Sequence, residues 1–195
     1  PAELAVRLGS IVSFDRRGEV VWLDDFEDNI AKWEIVLDGT GGSGALFCEA
    51  VRNGAKSCKL IAGNTAEGAN ALYRYLPSPV LGKVGLEVSF ALGPTVKAVE
   101  ITQRLYTGSK QYDATIYYRP QDNDLQYRNS AGNYITFATN INLIESAVAW
   151  HTIKLVIDAE KYTYTRCILN SSSYDLSAFS MSSVVKRSQH IGELE

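Results

Sequence analysis

At 195 residues, 46% of them hydrophobic, and with a net charge of −3, the chain can bury one substantial core, whereas two independent cores would each be small. No run of basic residues is longer than the two of Arg16-Arg17, so the electrostatic footprint of a nucleic-acid binder is missing. No window approaches the roughly 18 uninterrupted apolar residues of a membrane span, and the start lacks the basic opening and apolar centre of a signal peptide.

Residues 1–19 read as an N-terminal arm. Ala5-Val6-Arg7-Leu8 and Ile11-Val12-Ser13-Phe14 are short apolar pieces, cut by Gly9 and by Asp15-Arg16-Arg17-Gly18, and a segment of that kind needs a domain or a neighbouring subunit to pack on. Pro1 fits two histories equally, a mature form whose targeting segment was removed and a chain trimmed of its initiator methionine; the simpler expectation is a protein made in the cytoplasm without export. Residues 20–195 are expected to form one domain.

The domain opens on Val20-Val21-Trp22-Leu23-Asp24-Asp25-Phe26-Glu27-Asp28-Asn29-Ile30-Ala31-Lys32-Trp33. On an extended strand Asp25 and Glu27 share one face while Asp24 and Asp28 share the other. The four acids therefore do not converge as the facing carboxylates of a glycosidase. Three readings stay open: a calcium site built on Asp24, Asp25, Glu27 and Asp28 with a carbonyl from Asn29, a catalytic pair should a turn bring two of the acids together, or a solvated loop at the entry to the fold, with Trp22, Phe26 and Trp33 anchoring in the core. Calcium is the one cofactor this sequence suggests.

Residues 38–44 hold four glycines, but the strand-like Ala45-Leu46-Phe47-Cys48 follows them. A phosphate loop needs a helix there, so this is a flexible connection between strands. Cys48 and Cys58 flank Arg52-Asn53-Gly54, and a three-residue loop centred on Asn53 would set them opposite each other on a hairpin. A disulfide and two unbonded strand residues are both open there; Cys167 is left over. No CxxC occurs, and the two histidines, His151 and His190, lie far apart, so zinc spacing is absent.

Short apolar-polar alternations separated by Gly, Asn, Asp and Ser predict strands at 45–51, 58–62, 71–76, 85–92, 98–107, 111–119, 124–128, 134–138, 150–158 and 162–169. Ten strands imply two packed antiparallel sheets. Gly108-Ser109, Asp122-Asn123 and Ala131-Gly132-Asn133 supply the turns, giving meander and Greek-key connections.

Eleven tyrosines is a high count, and Tyr106, Tyr112, Tyr117, Tyr118, Tyr127 and Tyr134 concentrate in one region. On a sheet face Tyr112, Tyr117, Tyr118, Tyr127 and Tyr134 are candidates to stack on a glycan or anchor a protein partner; tyrosine is also an ordinary strand former. Alternation sets Tyr112 on the side of Ile116 and Tyr118, with Tyr117 opposite. His151 reads as a packed or hydrogen-bonded histidine, having no triad partners at suitable spacing.

Leu23-Asp24-Asp25-Phe26-Glu27-Asp28 followed by Trp33, together with Trp150-His151-Thr152-Ile153-Lys154-Leu155-Val156-Ile157-Asp158, resembles the opening and penultimate strands of concanavalin-like or laminin-G-like jelly rolls. The resemblance covers about residues 20–190 as a pattern and implies an all-β, two-sheet antiparallel jelly-roll sandwich, with a tight turn at Ala159-Glu160-Lys161 into Tyr162 to Cys167. Glucan-cutting members carry two glutamates flanking an aspartate on one strand. This chain has no Glu-x-Asp-x-x-Glu, and its strands hold the isolated acids Glu87, Glu100 and Asp113.

The arm-plus-sandwich plan is similar to small head and tail accessory proteins of tailed bacteriophages. It implies a non-catalytic virion component, a capsid decoration or surface protein made in the host cytoplasm, docking through its arm as a homo-oligomer or on a capsid or tail protein. The alternative is a secreted carbohydrate-binding module or lectin-like domain, with a hydrolase third.

Overall fold

The computed structural model describes residues 20–64, 69–76 and 82–185; the arm over 1–19 lies outside them. Every strand pairing in it is antiparallel, and no helix occurs among the described residues. The chain divides into two compact units, residues 1–79 and 80–195, a division inside the stretch read from sequence as one domain.

The first unit holds two two-stranded ribbons. β1 (Glu34–Leu37) pairs with β4 (Asn70–Tyr73), and β2 (Ser43–Phe47) pairs with β3 (Ser57–Ile61). Asn70 ties the ribbons together: its amide donates to Ser43 C=O at 3.3 Å and to Ile61 C=O, and its Oδ1 accepts Asp38 N–H at 3.1 Å. Gly44 lets them approach, since a Cβ there would stand 3.0 Å from both Ile35 and Leu60. The glycine-rich segment does connect two strands, with Gly39 and Gly41 at positive φ.

The expected three-residue hairpin at Asn53 is corrected. β2 ends at Phe47 and β3 starts at Ser57, so a long loop joins them and Leu46, not Cys48, stands opposite Cys58. The cause is local. Glu27 reaches into the loop, where its carboxylate accepts Ala55 N–H and Lys56 N–H, both at 2.8 Å, while Lys56 Nζ donates to Glu27 C=O at 2.7 Å. Gly54, at φ +76°, lies under that carboxylate. Gly54→Ala should cost more than about 1 kcal/mol, because alanine is strained at positive φ and its Cβ displaces Glu27; urea unfolding measures it. All three cysteines are free thiols.

The second unit holds β5 (Lys83–Phe90), β6 (Val99–Thr107), β7 (Lys110–Arg119), β8 (Asp124–Arg128), β9 (Tyr134–Ala138), β10 (His151–Asp158), β11 (Thr163–Leu169), β12 (Ser172–Asp175) and β13 (Ser182–Val185). One sheet runs β12-β11-β10-β5. In the other, β6 to β9 form a meander, and β7 takes β6 along one side and divides its other side between β13, at 110–113, and β8, at 116–119. The turns fall where their residues demand: Gly108-Ser109 closes β6 onto β7, Asn123 takes φ 51° before β8, and Gly132 takes φ 86° before β9.

Both sheets contribute to one core. Ile101, Ala114, Ile116, Tyr118, Leu125 and Tyr127 from the five-stranded sheet meet Ile153, Leu155, Ile157, Tyr164, Cys167 and Leu169 from the four-stranded one. Alternation along each strand selects this inward row. Gln103, also inward, donates to Leu155 C=O at 2.8 Å and joins the sheets by a polar bond.

The Tyr164 hydroxyl solves the break between β13 and β8. Neither strand covers the backbone of β7 at the junction, so Thr115 N–H is left to find another partner. Tyr164, on β11 in the facing sheet, accepts that N–H at 2.9 Å and lies 2.8 Å from Arg128 C=O and 3.3 Å from Thr115 C=O. Unpaired buried backbone groups are costly, and here one side chain serves the ends of two strands.

Candidate functional site

Two places carry the sequence-predicted residues: the acidic stretch in the first unit and the outward face of the five-stranded sheet in the second.

In the acidic stretch every carboxylate is engaged, and Asp24 and Asp28 share Lys32. Asp24, whose side chain is 1% exposed, accepts Trp33 Nε1–H at 2.6 Å, Lys32 Nζ–H at 2.9 Å and Phe26 N–H at 3.1 Å. Burial works against its charge, but the bonds from Lys32, Trp33 and Phe26 outweigh it and hold the carboxyl below its usual range. Asp25 accepts Glu27 N–H at 3.1 Å, Glu27 organises the 48–56 loop, and Asp28 pairs with Lys32 at 3.4 Å. Asn29 uses its side-chain oxygen on Ala31 N–H.

Trp33 lies between Trp22, edge-on at 5.1 Å, and Phe26, stacked at 5.7 Å, while Arg74 lies over Trp22 and donates to Lys32 C=O. Trp22, Phe26 and Trp33 pack on one another, half-buried in the first unit and not in the main core where they were expected to anchor, and the acids serve turns and the indole. Among the described residues no group of three or more His, Cys, Asp or Glu is placed to hold a metal ion. With these acids engaged on Lys32, the indole and turn N–H groups, excess calcium should leave the unfolding midpoint where chelator leaves it, read by scanning calorimetry; a rise of several degrees would favour the calcium reading.

The five tyrosines divide between two environments. Tyr118 and Tyr127 are core residues, 2% and 6% exposed. Tyr118 donates to Ile141 C=O at 3.0 Å, and Tyr127 stacks on Phe179 at 4.3 Å. Tyr112 also faces inward, stacked on Tyr162 at 4.0 Å and packed against the core. Only Tyr117 and Tyr134 face outward, 4.8 Å apart, and the Tyr134 hydroxyl donates to Glu100 at 2.9 Å. Burial, with Glu100 beside it as both charge and acceptor, pushes the Tyr134 phenol up to about 12.

A polar network surrounds this pair. Arg104 donates to Asp113 through Nε at 2.7 Å and Nη2 at 3.2 Å, and Gln111 adds its amide to both Asp113 oxygens. Thr102 and Thr115 share a hydroxyl bond at 2.8 Å. Asp124 takes Arg119, the Gln126 amide at 2.9 Å and the Thr136 hydroxyl at 2.9 Å. Burial again opposes the charge on Asp124, and Arg119, Gln126 and Thr136 overcome it, so its carboxyl is also lowered.

Asp113, Thr115, Asp124 and Gln126 are buried although they lie on the outward row. Sequence reading missed this network, although its signal is a period of two: 100, 102, 104 on β6, then 111, 113, 115, 117, 119 on β7, then 124 and 126 on β8. Every polar residue of the network sits on that row or, as Thr136 does, opposite it on β9.

His151 is buried, its Nε2 3.1 Å from Ile144 C=O and its Nδ1 3.4 Å from the Asn170 amide. Burial pushes the Cys167 thiol up to about 12, and burial with the Asp24 charge nearby pushes Cys58 up to about 11. Both are therefore protonated at neutral pH and poor nucleophiles. No family model, no curated protein and no solved structure matches this chain.

Proposed function

We propose that the chain is a non-catalytic interaction protein: a concanavalin-like jelly-roll sandwich that works as a virion component, a capsid decoration or surface protein of a tailed bacteriophage, docking through its arm and first unit. The observation that carries the reading is the apolar surface of the first unit, where Val36, Leu37, Leu60, Ile61, Tyr75 and Leu76 are exposed. Two-stranded ribbons are marginal alone, and apolar residues left exposed on and beside them suit burial against a partner. The engagement of Asp24, Glu27, Asp113 and Asp124 in ion pairs and turn bonds favours binding over acid-base chemistry.

The test is particle association. Tagged chain is produced in cells that carry the gene during particle release, and particles are banded on a density gradient. The full chain should band with particles and a variant lacking 1–19 should not. Chain that stays at the top of the gradient in every form rules the reading out.

A second reading is favoured by the outward Tyr117–Tyr134 pair with Glu100 beside it: this face binds a glycan, the rings stacking on a sugar and the carboxylate accepting its hydroxyls. Tyr134→Ala should then weaken binding to a hit from a glycan array by about tenfold or more while the unfolding midpoint holds. No hit, or equal affinity in the variant, counts against sugar stacking.

A further inference from the structure

Among the described residues β6 is an edge strand of the five-stranded sheet. Among the described residues its ladder runs only to β7, unbroken through nine residue pairs from Val99↔Tyr118 to Thr107↔Lys110. A long edge without proline or bulge offers a row of backbone donors and acceptors to another strand. The other edges of the unit fit this less well. β12 has four residues, the β8–β9 pairing carries a register shift, and on β5 the Lys154 side chain crosses Gly85, with Cε 3.2 Å from where a Cβ would stand, while Glu87 already faces Lys154 at 3.6 Å.

The outward row of β6 reads Glu100, Thr102, Arg104. Strands paired antiparallel across a two-fold axis at Thr102 place Glu100 opposite Arg104 of the second copy, and Arg104 opposite Glu100 of the second copy. Centring the axis one residue either way, on Ile101 or Gln103, breaks both charge pairs. In the same register the inward row sets Val99 against Leu105 and Ile101 against Gln103 of the second copy, so on each side of the axis one apolar pair is joined by one mixed pair. Both charged residues are exposed, and each is already held over its own sheet face, Arg104 by Asp113 and Glu100 by Thr102 and Tyr134, so the pairing adds a further partner to side chains whose ordering cost is partly met.

We infer that the chain forms a two-fold dimer by antiparallel pairing of β6 with β6 of a second copy, joining two five-stranded sheets edge to edge in the register set by Glu100 and Arg104. The residues of this pairing all lie in β6, whereas the docking proposed above rests on residues 1–79, so loss of particle docking with the dimer retained, or the reverse, tells which proposal has failed.

The experiment uses the full chain in a Cys48→Ser background. Light scattering coupled to size exclusion over a concentration series should show a dimer. Glu100→Arg should weaken it by about tenfold or more, since it brings like charges together twice across the axis. Thr102→Cys should cross-link under mild oxidation, because facing residues of antiparallel strands lie about 4.5–5.5 Å apart at Cα, within disulfide reach. Thr107→Cys, which has no counterpart opposite it, should not. The unfolding midpoint of each variant shows whether it is folded, and should Glu100→Arg not fold, the cysteine pair decides alone. A chain monomeric at every concentration, or equal cross-linking at 102 and 107, overturns the proposal. So does a dimer that a folded Glu100→Arg variant leaves unchanged.

Discussion

Tyr164→Phe should lower the unfolding free energy by about 2–4 kcal/mol, although it removes a single oxygen. The ring itself is replaced without loss of volume, so packing against Tyr127, edge-on at 5.5 Å, is kept. What is lost is the hydroxyl that bonds Thr115 N–H and Arg128 C=O. Tyr164 is 1% exposed and Thr115 equally so, so water cannot replace the bond without opening the junction of β7, β8 and β13. A buried donor or acceptor left unpaired costs about 1–3 kcal/mol, and two are left here.

The measurement is urea denaturation, in which the midpoint should fall at unchanged slope. Tyr118→Phe is the internal comparison. Its hydroxyl donates to Ile141 C=O in a partly exposed loop, where water can substitute, and its cost should stay near about 1 kcal/mol. Equal losses in the two variants would show that the junction has no special dependence on Tyr164.

This junction also marks where sequence reading stops. Strand positions in the second unit are legible from alternation, and Gly108-Ser109, Asn123 and Gly132 announce their turns, because those signals are local. That β13 returns to share one side of β7 with β8 is set by contacts between residues 110–113 and 182–185, and Ser182-Ser183-Val184-Val185 has no alternation of its own to reveal it. β1 and β12, also four residues long, were unpredicted for the same reason.

The candidate sites split likewise. Parity separates Tyr117 from Tyr112 and Tyr118, as alternation requires, but only register shows that Tyr134 joins Tyr117 on the outward face and that Tyr127 joins the core. The hairpin at Asn53 was misread because Asn-Gly is a strong local turn signal. The competing influence came from Glu27, a residue 26 positions earlier whose carboxylate holds the loop open.

Asp24→Ala should destabilise the first unit by about 2–4 kcal/mol and flatten its acid unfolding. The carboxylate is the acceptor for the Trp33 indole, the Lys32 ammonium and Phe26 N–H, so truncation leaves an indole N–H and a backbone N–H without their partner in a largely enclosed site. The pH dependence follows from the depressed carboxyl. Burial raises its pKa, the three bonds lower it further, and the folded value ends below that of the unfolded chain. A carboxyl depressed on folding contributes stability that is fully present above its unfolded pKa of about 4 and is lost as pH falls through the folded value. Asp124, depressed by Arg119, Gln126 and Thr136 against the effect of burial, adds the same sign in the second unit. Wild type should therefore weaken progressively below about pH 4. Asp24→Asn, which keeps the shape and one acceptor oxygen but cannot titrate, should be less stable at neutral pH and show a shallower acid limb. Tryptophan fluorescence during urea unfolding reads the effect, since Trp22 and Trp33 stand in contact at this site. If the acid limbs of wild type and Asp24→Asn coincide, Asp24 carries no net charge-linked stability and its role reduces to shape.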